Sequence, residues 1–168
     1  MSFYKLILVF AALLMVQACG FRPLYGGGGA ASPEFARIKV EPIADRVGQL
    51  LHNRLLTALN PKGLHQKPLY VLSTKLNETS ASLAVKKSAF ATRANLTVKA
   101  NFHLVRTLDG KTLYSGESSI TVSYNILDSE FATLVATKDA RFRAVREVSH
   151  GISTQLGVYF SSVQVPKN

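Results

Sequence analysis

Tryptophan is missing from this chain, cysteine occurs once, and acids are scarce, with 10 Asp+Glu against 20 Lys+Arg. Each shortage removes options. A lone thiol, Cys19, cannot close an internal disulfide, so the fold must rest on packing and hydrogen bonds. His52, His65, His103 and His150 are scattered, with no HExxH pattern and no second cysteine to complete a zinc-binding set. No GxSxG occurs and no carboxylate pair stands out. Lys111-Thr112 after Gly110 has the look of a phosphate-loop tail, but the glycine required five residues earlier is replaced by Val105. Neither enzyme activity, metal nor cofactor is expected from these residues.

What is present starts at the amino end. Met1 to Lys5 carries one positive charge, and Leu6 to Val16 follows as an unbroken apolar run. Such a run is short of the roughly 20 residues a spanning helix needs and suits the apolar core of a signal peptide. It ends in Val16-Gln17-Ala18-Cys19, which resembles the bacterial lipobox. Residues 1–18 are therefore expected to be a lipoprotein signal peptide and Cys19 the site of lipid attachment. The alternatives are a free thiol behind an ordinary signal peptide, or an uncleaved anchor. By likeness to other bacterial lipoproteins, Cys19 would carry three acyl chains, palmitate among them. Gly20, in place of an aspartate, favours the outer membrane by the same likeness. Residues 19–34 include four consecutive glycines, Gly26 to Gly29, and read as a tether, because glycine loses the most backbone freedom on ordering. Residues 35–168 then make a single domain.

Losing Lys5 with the signal peptide lowers the formal charge from +10 to +9. A strongly basic body either keeps a membrane-proximal protein soluble or meets an anionic partner. Nucleic acid is excluded by the export signal and by the lack of an RNP-like or zinc-finger pattern, which leaves phosphates of lipopolysaccharide or an anionic lipid surface. Lys86, Lys87 and Arg93 form one basic group; Arg141, Arg143 and Arg146 form another. Either group is an ordinary solvated charge run or a phosphate contact.

Periodicity outlines the domain. Ala36 to Glu41 alternates as a short strand. Val47, Leu50, Leu51, Leu55, Ala58 and Leu59 form one stripe of an amphipathic helix, ended by Asn60-Pro61 and Gly63. Leu69 to Leu76 reads as a second strand, and residues 77–91 as either its extension or an exposed loop. Arg93 to Val105 alternates strictly, with Ala94, Leu96, Val98, Ala100, Phe102 and Leu104 on one face and polar residues on the other. Asp109-Gly110 marks a hairpin with both central positions at positive φ, and the return strand is Thr112 to Tyr124, with Gly116 at a bulge or bend. Asp128 or Ser129 caps a long helix whose stripe runs through Phe131, Val135, Phe142, Val145, Val148, Ile152, Leu156 and Tyr159, interrupted at Lys138 by a kink or a change of partner. Asp139 with Arg143, and Arg143 with Glu147, are spaced as i,i+4 ion pairs. The expected fold is α/β in the α+β sense. It is a two-layer sandwich of a four-stranded, mostly antiparallel sheet with both helices on one face, in the order β-α-β-β-β-α.

Two segments carry a family resemblance. Cys19-Gly-Phe-Arg-Pro-Leu-Tyr-Gly26 resembles the amino-terminal signature of the LptE family of lipopolysaccharide-assembly lipoproteins, in its alphaproteobacterial branch. Ser123-Tyr124-Asn125, Phe131-Ala132 and Asp139-Ala140-Arg141, leading into a long helix, are similar to its carboxy-terminal half. The resemblance implies a non-enzymatic outer-membrane lipoprotein, facing the periplasm, that plugs and helps assemble the LptD β-barrel and binds lipopolysaccharide. Lys86, Lys87 and Arg93 are the expected lipid contacts. The alternatives are an envelope adaptor, or an anionic-lipid-binding module that works without a barrel.

Overall fold

The computed structural model describes residues 34–61, 63, 67–85 and 91–163. A turn of 3₁₀ helix, Phe35–Arg37, leads into β1 (Ile38–Val40), α1 (Asp45–Leu59), β2 (Tyr70–Val85), β3 (Ala91–Arg106), β4 (Thr112–Asn125) and α2 (Glu130–Ser162). The sheet order is β1-β2-β3-β4. β1 runs parallel to β2, with Ile38 opposite Tyr70 and Val40 opposite Leu72, while β2–β3 and β3–β4 are antiparallel. The two-layer α+β sandwich read from the sequence is the fold.

Its core lies on one face of the sheet. Ala94, Leu96, Val98, Ala100, Phe102 and Leu104 of β3 are all buried, joined by Leu51, Leu55 and Leu59 of α1 and by Val145, Val148, Ile152 and Leu156 of α2. Rings close the end nearest β1: Phe35, Tyr70 and Tyr159 each lie within 6.1 Å of Phe160, centroid to centroid. Burial there pushes the Tyr70 phenol above its usual pKa, with the Glu34 carboxylate adding to the rise. Asn60, buried at the end of α1, donates its side-chain N–H to the Ile38 carbonyl at 3.0 Å and so ties the helix back to β1.

Several local details differ from the pattern-based reading. Residues 77–85 extend β2, which settles that part of the choice left open over 77–91; residues 86–90 lie outside the described residues, and Ala91 begins β3. The first strand is shorter than Ala36 to Glu41, because residues 35–37 turn rather than extend. In the β3–β4 connection only Gly110 takes positive φ; the Asp109 carboxylate accepts from the Lys111 amide at 3.2 Å, so a longer loop replaces the two-residue primed turn. Gly116 sits in regular register opposite Phe102, and the irregularity falls at Leu104/Val105. A Cβ on Gly116 would stand 2.6 Å from Phe102 Cζ and from Gln155 Oε1, so this glycine is a close-approach position, not a bulge.

Helix α2 is continuous through Lys138, and Ser129 Oγ caps it by accepting from the Ala132 amide at 3.4 Å. Its inward stripe in the first half is Ala140 and Ala144; Phe131, Val135 and Phe142, expected inside, are 75%, 50% and 39% exposed. The first turns overhang because nothing among the described residues packs on that side. The Arg143–Asp139 pair forms at 2.8 Å, but Glu147 pairs with Arg146 instead, since Arg143 also reaches the Ser123 carbonyl.

Length explains the uneven cover. At 1.5 Å per residue the 33-residue α2 extends about 50 Å, matching the 16-residue strands β2 and β3, whereas the 15-residue α1 covers only about 22 Å. One end of the sheet is therefore roofed by two helices and the other by one.

Candidate interaction surface

The sheet face away from the helices is a ladder of polar side chains in cross-strand pairs. Asn95 Oδ1 accepts from Ser123 Oγ at 2.7 Å, Thr97 and Thr121 share a hydroxyl bond at 2.9 Å, Lys99 pairs with Glu117 at 2.7 Å, and His103 Nδ1 meets Ser115 Oγ at 2.8 Å. Such pairs stabilise the antiparallel ladder by a few tenths of a kcal/mol each, up to about 1 kcal/mol. The β3–β4 part of this surface is rich in hydroxyls and amides; the Lys99–Glu117 pair is self-neutralising, which leaves Arg93 at the strand end as its net positive charge.

At the singly roofed end the inner face changes character. Glu78 and Ser80 of β2 replace the leucines found lower on the same strand. Arg141 grips Glu78 through Nε at 3.0 Å and Nη2 at 2.7 Å, and this bond holds the guanidinium above its ordinary pKa. Ser80 Oγ bonds the Tyr124 hydroxyl at 3.2 Å. Two residues quoted for the family resemblance, Tyr124 and Arg141, thus close the inner layer where apolar cover ends. Beside them Leu127, Phe131, Leu134, Val135 and Phe142 make an exposed apolar stripe with Lys138 in its midst.

The expected site residues fare unequally. Cys19, Lys86 and Lys87 lie outside the described residues. Arg93 is exposed at the far end of β3, on the polar face, opposite Asn125 of β4. The second basic group does not act as one: Arg141, Arg143 and Arg146 each hold a different carboxylate, those of Glu78, Asp139 and Glu147. Sequence reading missed Glu78 and Ser80; the signal was the break in apolar alternation after Leu76. Among the described residues no three His, Cys, Asp or Glu side chains gather into a metal-binding group, and no helix is long and apolar enough to cross a membrane.

A long sheet roofed on one side, with a self-paired polar face on the other, defines a two-layer module with surfaces for association. The chain belongs to the LptE family of lipopolysaccharide-assembly proteins, whose model matches residues 35–157. The family is non-enzymatic, and it is a lipoprotein family, consistent with the bacterial envelope. An uncharacterized protein of Rickettsia prowazekii, RP188, is 23% identical over 146 residues, 87% of this chain and 91% of that protein. Among solved structures, a candidate lipoprotein of Caulobacter crescentus shares the fold with a TM-score of 0.65 and 20% identity, covering 77% of this chain and 95% of that one. A minor lipoprotein of Acinetobacter baumannii shares it with a TM-score of 0.55 and 17% identity, covering 72% and 91%.

Proposed function

We propose that this chain is an outer-membrane lipoprotein that plugs the LptD β-barrel and assists its assembly, in the transport and insertion of lipopolysaccharide at the cell surface. The family match over residues 35–157 carries this reading. The physical support is the outer sheet face. Between β3 and β4 the pairs Asn95–Ser123, Thr97–Thr121, Lys99–Glu117 and His103–Ser115 already satisfy one another, so that part of the face can enter a water-lined lumen without leaving those donors and acceptors stranded. Residues 1–18 act as the signal peptide, residues 19–34 as the tether, and Cys19 carries the acyl chains that hold the domain on the periplasmic side of the membrane. Lys86, Lys87 and Arg93 supply the positive charge for lipid A phosphates.

Affinity isolation of the tagged full chain from detergent-extracted envelopes tests the reading. A stoichiometric complex with LptD is the expected result; a different constant companion and no barrel would end it. Mass spectrometry of the same material tests Cys19, which should carry thioether-linked diacylglycerol and an acylated amine.

A second reading, an anionic-lipid-binding module acting without a barrel, draws on the stripe of Phe131, Leu134, Val135 and Phe142 around Lys138. That combination suits acyl chains next to a phosphate. It predicts salt-sensitive binding of purified lipopolysaccharide by the chain alone, lost in Lys138→Glu.

A further inference from the structure

We infer that the open edge of β2, from Thr74 to Ser82, is the line along which an extended segment of the barrel partner joins the sheet as an added strand. The inference rests on the barrel reading above and names the contact it would use. β1 pairs with β2 only from Tyr70 to Leu72, after which the chain turns away into α1. The lane beside β2 is thus empty above Leu72 among the described residues. The register fixes which groups face it. Leu69, just before β2, is split, its carbonyl accepting from Thr107 and its N–H donating to the Arg37 carbonyl, but within β2 the Leu72 carbonyl accepts from Glu41, so even residues of β2 bond outward and odd residues bond to β3. Thr74, Leu76, Glu78, Ser80 and Ser82 therefore turn N–H and C=O groups toward the vacant lane, with no partner strand among the described residues.

The opposite edge is treated differently. On β4 the outward carbonyls of Glu117 and Ser123 are taken by α2 side chains, Gln155 at 2.9 Å and Arg143 at 3.4 Å. Among the described residues the β2 edge has none of these caps, and the strand has no proline and no irregularity before Ser82. A long unguarded edge is a template for another extended backbone, whose alternating donors and acceptors match it.

Charge narrows the occupant. Along this edge the side chains on the polar face are Ser73, Lys75, Asn77, Thr79 and Ala81. Lys75 is exposed, and the nearest carboxylate by register, Glu117, is held by Lys99. The incoming strand is therefore small, mostly uncharged, and acidic opposite Lys75. A second copy of this chain fails that requirement, because its own β2 edge brings a lysine and no carboxylate on that face.

Amide hydrogen exchange on the full chain, alone and in purified complex with the barrel, tests the inference. In the free chain the amides of Thr74, Leu76, Glu78 and Ser80 should exchange quickly. With the barrel at about 100 times its Kd they should slow roughly 100-fold. A complex that forms while these amides stay fast would overturn the strand addition and leave the barrel reading intact. Slowing that grows with the concentration of the chain alone, alongside a dimer in sedimentation, would assign the edge to a second copy instead. Absence of any complex would remove both this inference and the reading beneath it. Ser82→Pro, which deletes an outward N–H at a position with no side-chain contact among the described residues and no main-chain bond to β3, should weaken the complex about tenfold, the loss of one main-chain hydrogen bond. Lys75→Glu, at an exposed position that asks nothing of the core, should weaken it several-fold at low salt and less at high salt. Unchanged affinity in a folded form of both variants would contradict the proposal.

Discussion

The two ends of this sheet are built on different physics. Near β1, both helices cover the strands, and Ile38, Leu51, Leu55, Leu59, Leu72 and Phe102 are sealed from solvent. Toward the β2–β3 tip only α2 remains overhead, and the inner layer is closed by the Arg141–Glu78 and Ser80–Tyr124 contacts, with Phe131 and Leu134 left in water. The doubly roofed end supplies cohesion. The singly roofed end spends its residues on polar closure and on surfaces that a neighbour can use. A fold with this gradient can be altered at one end without coming apart at the other.

Mutations should reproduce the gradient. Phe102→Ala, which empties the centre of the doubly roofed end, should cost about 3–5 kcal/mol in urea unfolding; a cost below that of surface substitutions would deny that the core is concentrated there. Asn60→Ala should cost about 1–3 kcal/mol, because the buried Ile38 carbonyl loses its donor, and the loss should appear as a lower midpoint with an unchanged slope. At the other end, Arg141→Ala should cost only about 1 kcal/mol, since its pair with Glu78 is partly open to solvent. A larger loss would mean that polar closure matters as much as the core. Phe131→Ser should change stability by less than about 0.5 kcal/mol, as measured by thermal unfolding.

The same gradient decides how much could be read from the sequence. Where two helices cover the sheet, burial imposes alternation, and Ala94 to Leu104 announced both the strand and its buried face. Where cover thins, the alternation fades. β2 becomes Asn-Glu-Thr-Ser-Ala-Ser after Leu76, and its last turns were indistinguishable from a loop because no apolar period was required of them. The long helix misled in the opposite sense. Phe131, Val135 and Phe142 fit the helical period but point outward, and the inward positions are the small Ala140 and Ala144, which carry little signal. The Arg141–Glu78 pair spans 63 residues, a separation no local pattern can reveal. Family membership was legible from short motifs, first Cys19 to Gly26 and then the segments around Tyr124 and Arg141, and the structure gives Tyr124 and Arg141 a local task in closing the weaker end.

The central claim is that this body serves a lipopolysaccharide-exporting barrel. Its most direct test is depletion of the chain in the bacterium that encodes it, followed by the state of LptD and the lipopolysaccharide exposed at the surface. The account predicts that mature LptD falls and surface lipopolysaccharide falls with it. Mature barrel and surface lipopolysaccharide both at normal levels after depletion would contradict it.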